Sequence, residues 1–250
     1  DFNATLSLYS ISGTITASGS PLAGVTVDAG GGHTATTAAN GTYTISGLVA
    51  GTYTLTPSKA EYTFTPTSLS VTVGPSATGK DFTGSVATYS ISGTITADGS
   101  GLSGVTVDAG GGYTATTAAN GTYTISGLPA GTYTVTPSKA EYTFSPANRS
   151  VTVGPSATGK DFTGTQNTYS VSGTITVGGS GLSGVTVDAG GGHTATTAAD
   201  GAYTITGLVA GTHTVTPTKA EYTFSPTSLS VTVGPNATGK DFTAALATYS

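Results

Sequence analysis

The chain has 250 residues with no cysteine, methionine or tryptophan, and only 8% of its side chains are charged, against about a quarter in an average soluble domain. The missing thiols exclude disulfides and thiolate metal centres. Seven basic residues scattered through a chain of net charge −5 form no stripe able to neutralise a run of phosphates, which excludes nucleic acid as a partner. Every apolar run is broken by Thr, Ser or Gly well short of the roughly 18 residues that a membrane-spanning helix needs, so this window holds no membrane span. Disorder is also disfavoured, because β-branched and aromatic residues are plentiful and net charge is modest. A chain without an initiating Met reads as a processed or cropped product, with any signal peptide outside it.

Residues 1–8 come first in chain order. Asp1-Phe2 matches Asp81-Phe82, Asp161-Phe162 and Asp241-Phe242, each near the end of a later block. Residues 1–8 are therefore expected to be the closing strand of a preceding repeat, or a strand donated to a neighbouring copy. From Tyr9 the chain repeats itself: Tyr9-Ser10-Ile11-Ser12-Gly13-Thr14-Ile15-Thr16 returns at Tyr89 and, with Val171 in place of Ile, at Tyr169. A fixed period of 80 residues marks a tandem array. It predicts repeats over 9–88, 89–168 and 169–248, with 249–250 opening a following one, as in a stretch cut from a longer array.

Inside a repeat, apolar residues alternate with Thr or Ser, as in Thr42-Tyr43-Thr44-Ile45-Ser46 and Ser68-Leu69-Ser70-Val71-Thr72-Val73. That period of two puts the apolar set on one face of a strand and the hydroxyls on the other. The pattern predicts strands at 10–16, 24–29, 34–37, 42–46, 52–57, 68–73 and 80–84, with 62–65 as a candidate eighth. Turn signals separate them: Asn40-Gly41, Asn120-Gly121, Asp200-Gly201, Gly30-Gly31-Gly32 and Gly74-Pro75, residue types that accept positive φ or fix a bend. Many short strands with frequent turns predict an all-β sandwich or small barrel. The links between repeats, near 85–88 and 165–168, are a few residues long, which favours end-to-end stacking into a rod on the order of 100 Å.

The succession Ile11-Ser12-Gly13-Thr14-Ile15, Pro21-Leu22-Ala23-Gly24-Val25-Thr26-Val27, Ala39-Asn40-Gly41-Thr42-Tyr43 and Ala50-Gly51-Thr52-Tyr53-Thr54 resembles the carboxypeptidase regulatory-like domain. That family is grouped with the transthyretin-like and Cna protein B-type sandwiches of bacterial surface proteins. The resemblance covers most of each repeat. It implies three tandem Ig-like/transthyretin-like β-sandwich domains of about seven strands each, used as spacer, stalk or appendage. Ala38, Ala118 and Ala198 stand where family members often carry an acidic residue. The resemblance also implies a candidate Lys to Asp/Asn isopeptide bond assisted by Glu, and the residue types recur: Asp28, Lys59, Glu61, Lys80 and Asp81, with Asp108, Lys139, Glu141, Lys160, Asp161 and Asp188, Lys219, Glu221, Lys240, Asp241 as counterparts. The lysine of that bond usually sits in the first strand, and 9–16 contains none. As plain side chains, the same charges would be solvated or form surface pairs worth up to roughly 1 kcal/mol each.

Three copies of one unit allow an internal test, because a residue with a shared task should recur. Histidine does not: His33 and His193 align with Tyr113, and His213 aligns with Tyr53 and Tyr133. No Cys/His or Ser/His/Asp constellation and no metal centre can therefore exist in every repeat, and no cofactor is implied. Paired carboxylates for glycoside hydrolysis would need a cleft that such short loops do not form, so no enzyme is expected. Tyr62 and Phe64 share a face, for core packing or, less simply, for stacking on a sugar. Asn3, Asn40, Asn120, Asn148 and Asn236 open Asn-X-Thr/Ser triplets, candidate N-glycosylation sites, and the outward Thr rows are open to O-linked sugars. The expected function is an extracellular structural array, a stalk or filament shaft for surface projection or adhesion. Its expected partners are neighbouring repeats or copies of itself. The alternatives are a module that binds surface polysaccharide or protein, or the accessory stalk of a secreted enzyme.

Overall fold

The computed structural model describes residues 6–247. The first repeat holds nine strands: β1 (Tyr9–Ala17), β2 (Ser20–Pro21), β3 (Thr26–Asp28), β4 (Thr34–Thr36), β5 (Thr42–Leu48), β6 (Gly51–Ser58), β7 (Tyr62–Thr65), β8 (Leu69–Val73) and β9 (Phe82–Val86). The same nine recur as β10 to β18, from Tyr89–Ala97 to Phe162–Gln166, and as β19 to β27, from Thr168–Val177 to Phe242–Leu246. No described residue is helical, as the period-two pattern predicts.

Each repeat is two layers. One sheet runs β4-β3-β6-β8, and the other runs β2-β1-β9-β7 with β5 also paired to β1. β1 is long enough to serve β5 along its first half and both β9 and the two-residue β2 along its second. Its first half lies antiparallel to β5, Thr14 opposite Thr42, and its second half lies parallel to β9, Ile15 opposite Phe82 and Ala17 opposite Gly84. The inward residues of both layers meet in one cluster: Ile11, Ile15, Tyr43, Ile45, Leu48 and Phe82 from one sheet, Val27, Leu55, Val71 and Val73 from the other. Ile15, Leu48 and Leu55 are wholly buried, each worth roughly 1.5–3 kcal/mol. The second and third repeats close equivalent clusters of their own.

One polar side chain joins this core in each repeat. Thr37 is buried; its hydroxyl donates to the Leu22 carbonyl (2.7 Å) and accepts from the Val25 amide (2.9 Å). Thr117 and Thr197 repeat both bonds. This explains why the expected strand at 24–29 contracts to Thr26–Asp28: the Val25 amide is spent on a side chain, and Gly24 turns through φ +72°. Three further differences follow from tertiary pairing. The expected closing strand at 80–84 begins two residues later, because Lys80 and Asp81 bond to β1 outside the ladder. The candidate at 62–65 is a full strand, held by β9 with Phe64 opposite Gly84. The Ser20–Pro21 rung on β1 carries no apolar pattern at all. Tyr62 and Phe64 pack on the core cluster.

Candidate load-bearing clamp between the first and last strands

β1 opens a repeat and β9 closes it, and the two run side by side in the same direction. The segment leading into β9 is stitched to β1 from one end to the other. The Ser10 amide donates to Ser76 Oγ (2.9 Å), the Ala77 amide to the Ser10 carbonyl (2.9 Å), the Ser12 amide to the Ala77 carbonyl (2.9 Å) and the Lys80 amide to the Ser12 carbonyl (3.1 Å). Asp81 then places one carboxylate oxygen on both the amide (2.7 Å) and the hydroxyl (2.9 Å) of Thr14. The ladder from Ile15 to Ala17 completes the seam.

Two residues of unremarked type make this approach feasible. A Cβ on Gly13 would collide with the backbone carbonyl of Lys80, so the inward slot between Ile11 and Ile15 is filled by main chain instead of side chain. Tyr43, across the layer on β5, donates its hydroxyl to that same Lys80 carbonyl (2.5 Å). Burial pushes the Tyr43 phenol up to about 12, and the Asp81 carboxylate adds to the rise. Gly173, Tyr203 and Asp241 repeat the arrangement, and Gly93, Tyr123 and Asp161 repeat it with the Asp161 carboxylate on the Thr94 amide alone. In the third repeat Asn236 Oδ1 takes over from Ser76 Oγ, accepting from the Ser170 amide (2.9 Å).

The side chains of the seam are engaged in hydrogen bonds. Its phenol stays protonated at neutral pH, and its carboxylate accepts from Thr14. Asp81 and Lys80 are the sequence candidates that meet here, Lys80 through its backbone. The others lie elsewhere. Asp28 accepts from the Gly30 amide (2.7 Å) and shapes the glycine turn. Lys59 donates its ammonium to the Ala23 carbonyl (2.7 Å) beside the Tyr62 ring. Glu61 adopts φ +64°, and its carbonyl accepts from the Ala87 amide (2.7 Å) at the start of the link to the next repeat. These bonds hold Lys59 and Asp81 on different backbone partners. Asn40 and Asn120 are exposed, with Oδ1 accepting from the hydroxyls of Thr42 and Thr122; Asn148 is exposed before the strand Arg149–Val153. Asn3 lies outside the described residues. Gly13, Tyr43 and Thr37 were missed because their types read as ordinary strand residues. The only signal was their recurrence in all three copies.

Fold and seam together define a tandem β-sandwich protein whose repeats are each locked by their terminal strands. The family model of the carboxypeptidase regulatory-like domain matches residues 10–83 and 90–163, and the chain belongs to that family. No curated protein matches the sequence. Among solved structures, the Bacillus anthracis TIE protein is similar in fold, with TM-score 0.67 and 17% identity over 95% of this chain and 50% of that one. The chain thus spans about half the length of that protein. BcpA, the major pilin subunit of Bacillus cereus, aligns with TM-score 0.46 and 12% identity over 96% of this chain and 100% of that one. The major pilin SpaD from Corynebacterium diphtheriae aligns with TM-score 0.30 and 14% identity over 95% and 97%.

Proposed function

We propose that this chain is an extracellular structural array, a stretch of stalk or filament shaft that carries tension between a cell surface and what the surface adheres to. Its units are the domains 9–88, 89–168 and 169–248, stacked as a rod, with neighbouring repeats and further copies as its partners. Exposed Asn40, Asn120, Asn148 and Asn236 are its candidate glycan sites, and no catalysis is assigned to it.

The observation that carries this reading is the parallel seam. In parallel neighbours the entry end of one strand and the exit end of the other point opposite ways. A pull on the two ends of a repeat therefore loads every bond from Ser10 to Ala17 in shear at once, whereas antiparallel terminal strands would open one rung at a time. The rigid core behind Ile11, Ile15 and Phe82 keeps the rungs aligned while they share the load. A noncovalent seam of this kind makes an isopeptide cross-link unnecessary for closure.

Single-molecule stretching tests it. Three unfolding events are expected, each releasing on the order of 250 Å of chain. Asp81→Ala is expected to lower the force of one event only, while costing equilibrium stability about 1 kcal/mol. Extension at low force without discrete events, or forces indifferent to Asp81→Ala, would count against the seam as the element that bears load.

A further inference from the structure

An asparagine followed by glycine carries its own reaction. Glycine has no side chain to shield its amide or restrain its backbone, so its nitrogen can attack the asparagine side-chain carbonyl, closing a succinimide ring and expelling ammonia. Water then opens the ring at either carbonyl and leaves aspartate or its isoaspartyl isomer; the sum is amide plus water to acid plus ammonia. Two such pairs stand at equivalent turns, Asn40-Gly41 and Asn120-Gly121, and the third repeat carries Asp200-Gly201 in their place.

The fold restrains both reacting groups. The Gly41 amide donates to the Ala38 carbonyl (2.9 Å), and the Gly41 carbonyl accepts from the Ile15 amide on β1 (2.9 Å). Gly41 is buried there, so close that a Cβ on it would lie 2.6 Å from the Ile15 carbonyl. Asn40 Oδ1 accepts from the amide (3.2 Å) and the hydroxyl (2.8 Å) of Thr42, which fixes the carboxamide on the residue beyond the glycine. The second repeat makes the same bonds: Gly121 to Ala118 and from Ile95, and Asn120 Oδ1 from the Thr122 amide (3.1 Å) and hydroxyl (2.7 Å). Ring closure must break them, so it waits on opening of the turn.

We propose that Asn40 and Asn120 are deamidation sites gated by the fold: slow while the turn is closed on β1, fast once the repeat opens, so that time spent unfolded accumulates as acid at these two positions. The third repeat shows how the aspartate product is accommodated. Asp200 Oδ1 accepts from the Ala202 amide (3.0 Å), and Gly201 keeps both backbone bonds, to Ala198 (3.0 Å) and from Ile175 (2.9 Å). A repeat that deamidates to aspartate therefore closes again with its mark in place. The isoaspartyl product routes the main chain through Cβ, and that extra backbone atom displaces the Gly41 carbonyl from the Ile15 amide.

The full chain, produced without glycans, is held at mildly alkaline pH in native buffer and in guanidinium chloride, and peptide mass spectrometry follows amide-to-acid conversion at each asparagine. In denaturant, Asn40 and Asn120 are expected to convert together and ahead of Asn148 and Asn236, which precede Arg and Ala. In native buffer both are expected to slow by roughly tenfold or more, the weight of the hydrogen bonds that closure must break. Thr42→Val keeps the shape of the side chain and drops its hydroxyl. It should quicken Asn40 severalfold in the folded chain while Asn120, in the same molecule, keeps its pace. Asn40→Asp is expected to fold with an unchanged thermal midpoint. Equal rates in native buffer and denaturant, equal rates at the two asparagines of folded Thr42→Val, or a lowered midpoint in Asn40→Asp would each overturn the proposal.

Discussion

Tyr43 shows how one side chain can serve both the core and the seam. Its ring is part of the core, only 3% exposed, while its hydroxyl reaches the Lys80 carbonyl on the seam. The phenol's pKa rises from 10.0 to about 12 in the folded chain, from burial first and the Asp81 charge second, and Tyr123 and Tyr203 behave alike. The unfolded chain releases these protons near pH 10 and the folded chain holds them until about 12, so the tyrosines' stabilising contribution is complete below pH 10 and is lost as pH rises from 10 through 12. Urea midpoints measured across that window are expected to fall steeply. The triple variant Tyr43→Phe, Tyr123→Phe, Tyr203→Phe should be less stable at neutral pH and show a shallower alkaline fall. Equal slopes in both proteins would show that other groups govern the alkaline limit.

At the scale of the element, the period-two pattern located the strands but said little about their neighbours. β1 reads as an ordinary strand of alternating residues, yet it has three partners, and Gly13 lies where the Lys80 main chain crosses it. The demand at Gly13 is for space, not for an unusual backbone angle. Gly13→Ala with its counterparts Gly93→Ala and Gly173→Ala forces β1 and the closing segment apart, an overpacking cost of roughly 1–3 kcal/mol per repeat. The whole urea transition is expected to move to lower concentration, and an unmoved midpoint would mean that the seam yields without loss. The 62–65 strand was harder to read because four residues between turns fit a loop as well as a strand. Its status was settled by β9, which supplies the ladder from Tyr62 to Thr65.

Across the whole molecule, the two junctions between repeats are not equivalent. Both close one backbone bond, from the Ala87 amide to the Glu61 carbonyl and from the Asn167 amide to the Glu141 carbonyl. The second adds a side-chain bond, from the Tyr169 hydroxyl to the Glu141 carboxylate (2.7 Å), which raises the phenol's pKa, with burial contributing less. It also gains a rung, Thr168 opposite Val209, so a single residue separates β18 from β19. A shorter link with more bonds restrains bending more. Tyr169→Phe is expected to increase the independent tumbling of the third repeat in NMR relaxation, and Tyr89→Phe to leave the first junction as it was. Equal effects at both junctions would remove the distinction.

The sequence by itself determined the all-β class, the 80-residue recurrence, the inward and outward faces of most strands and the family resemblance, because these rest on periodicity and local turn chemistry that each short segment carries on its own. Only the tertiary structure decided which strands pair in parallel, why Gly13 tolerates no side chain, what the Tyr43 and Thr37 hydroxyls hold, and where the charged residues find their partners. Those properties belong to contacts between segments such as Thr14 and Asp81, 67 residues apart in the chain, and no local pattern encodes a distance that folding alone closes.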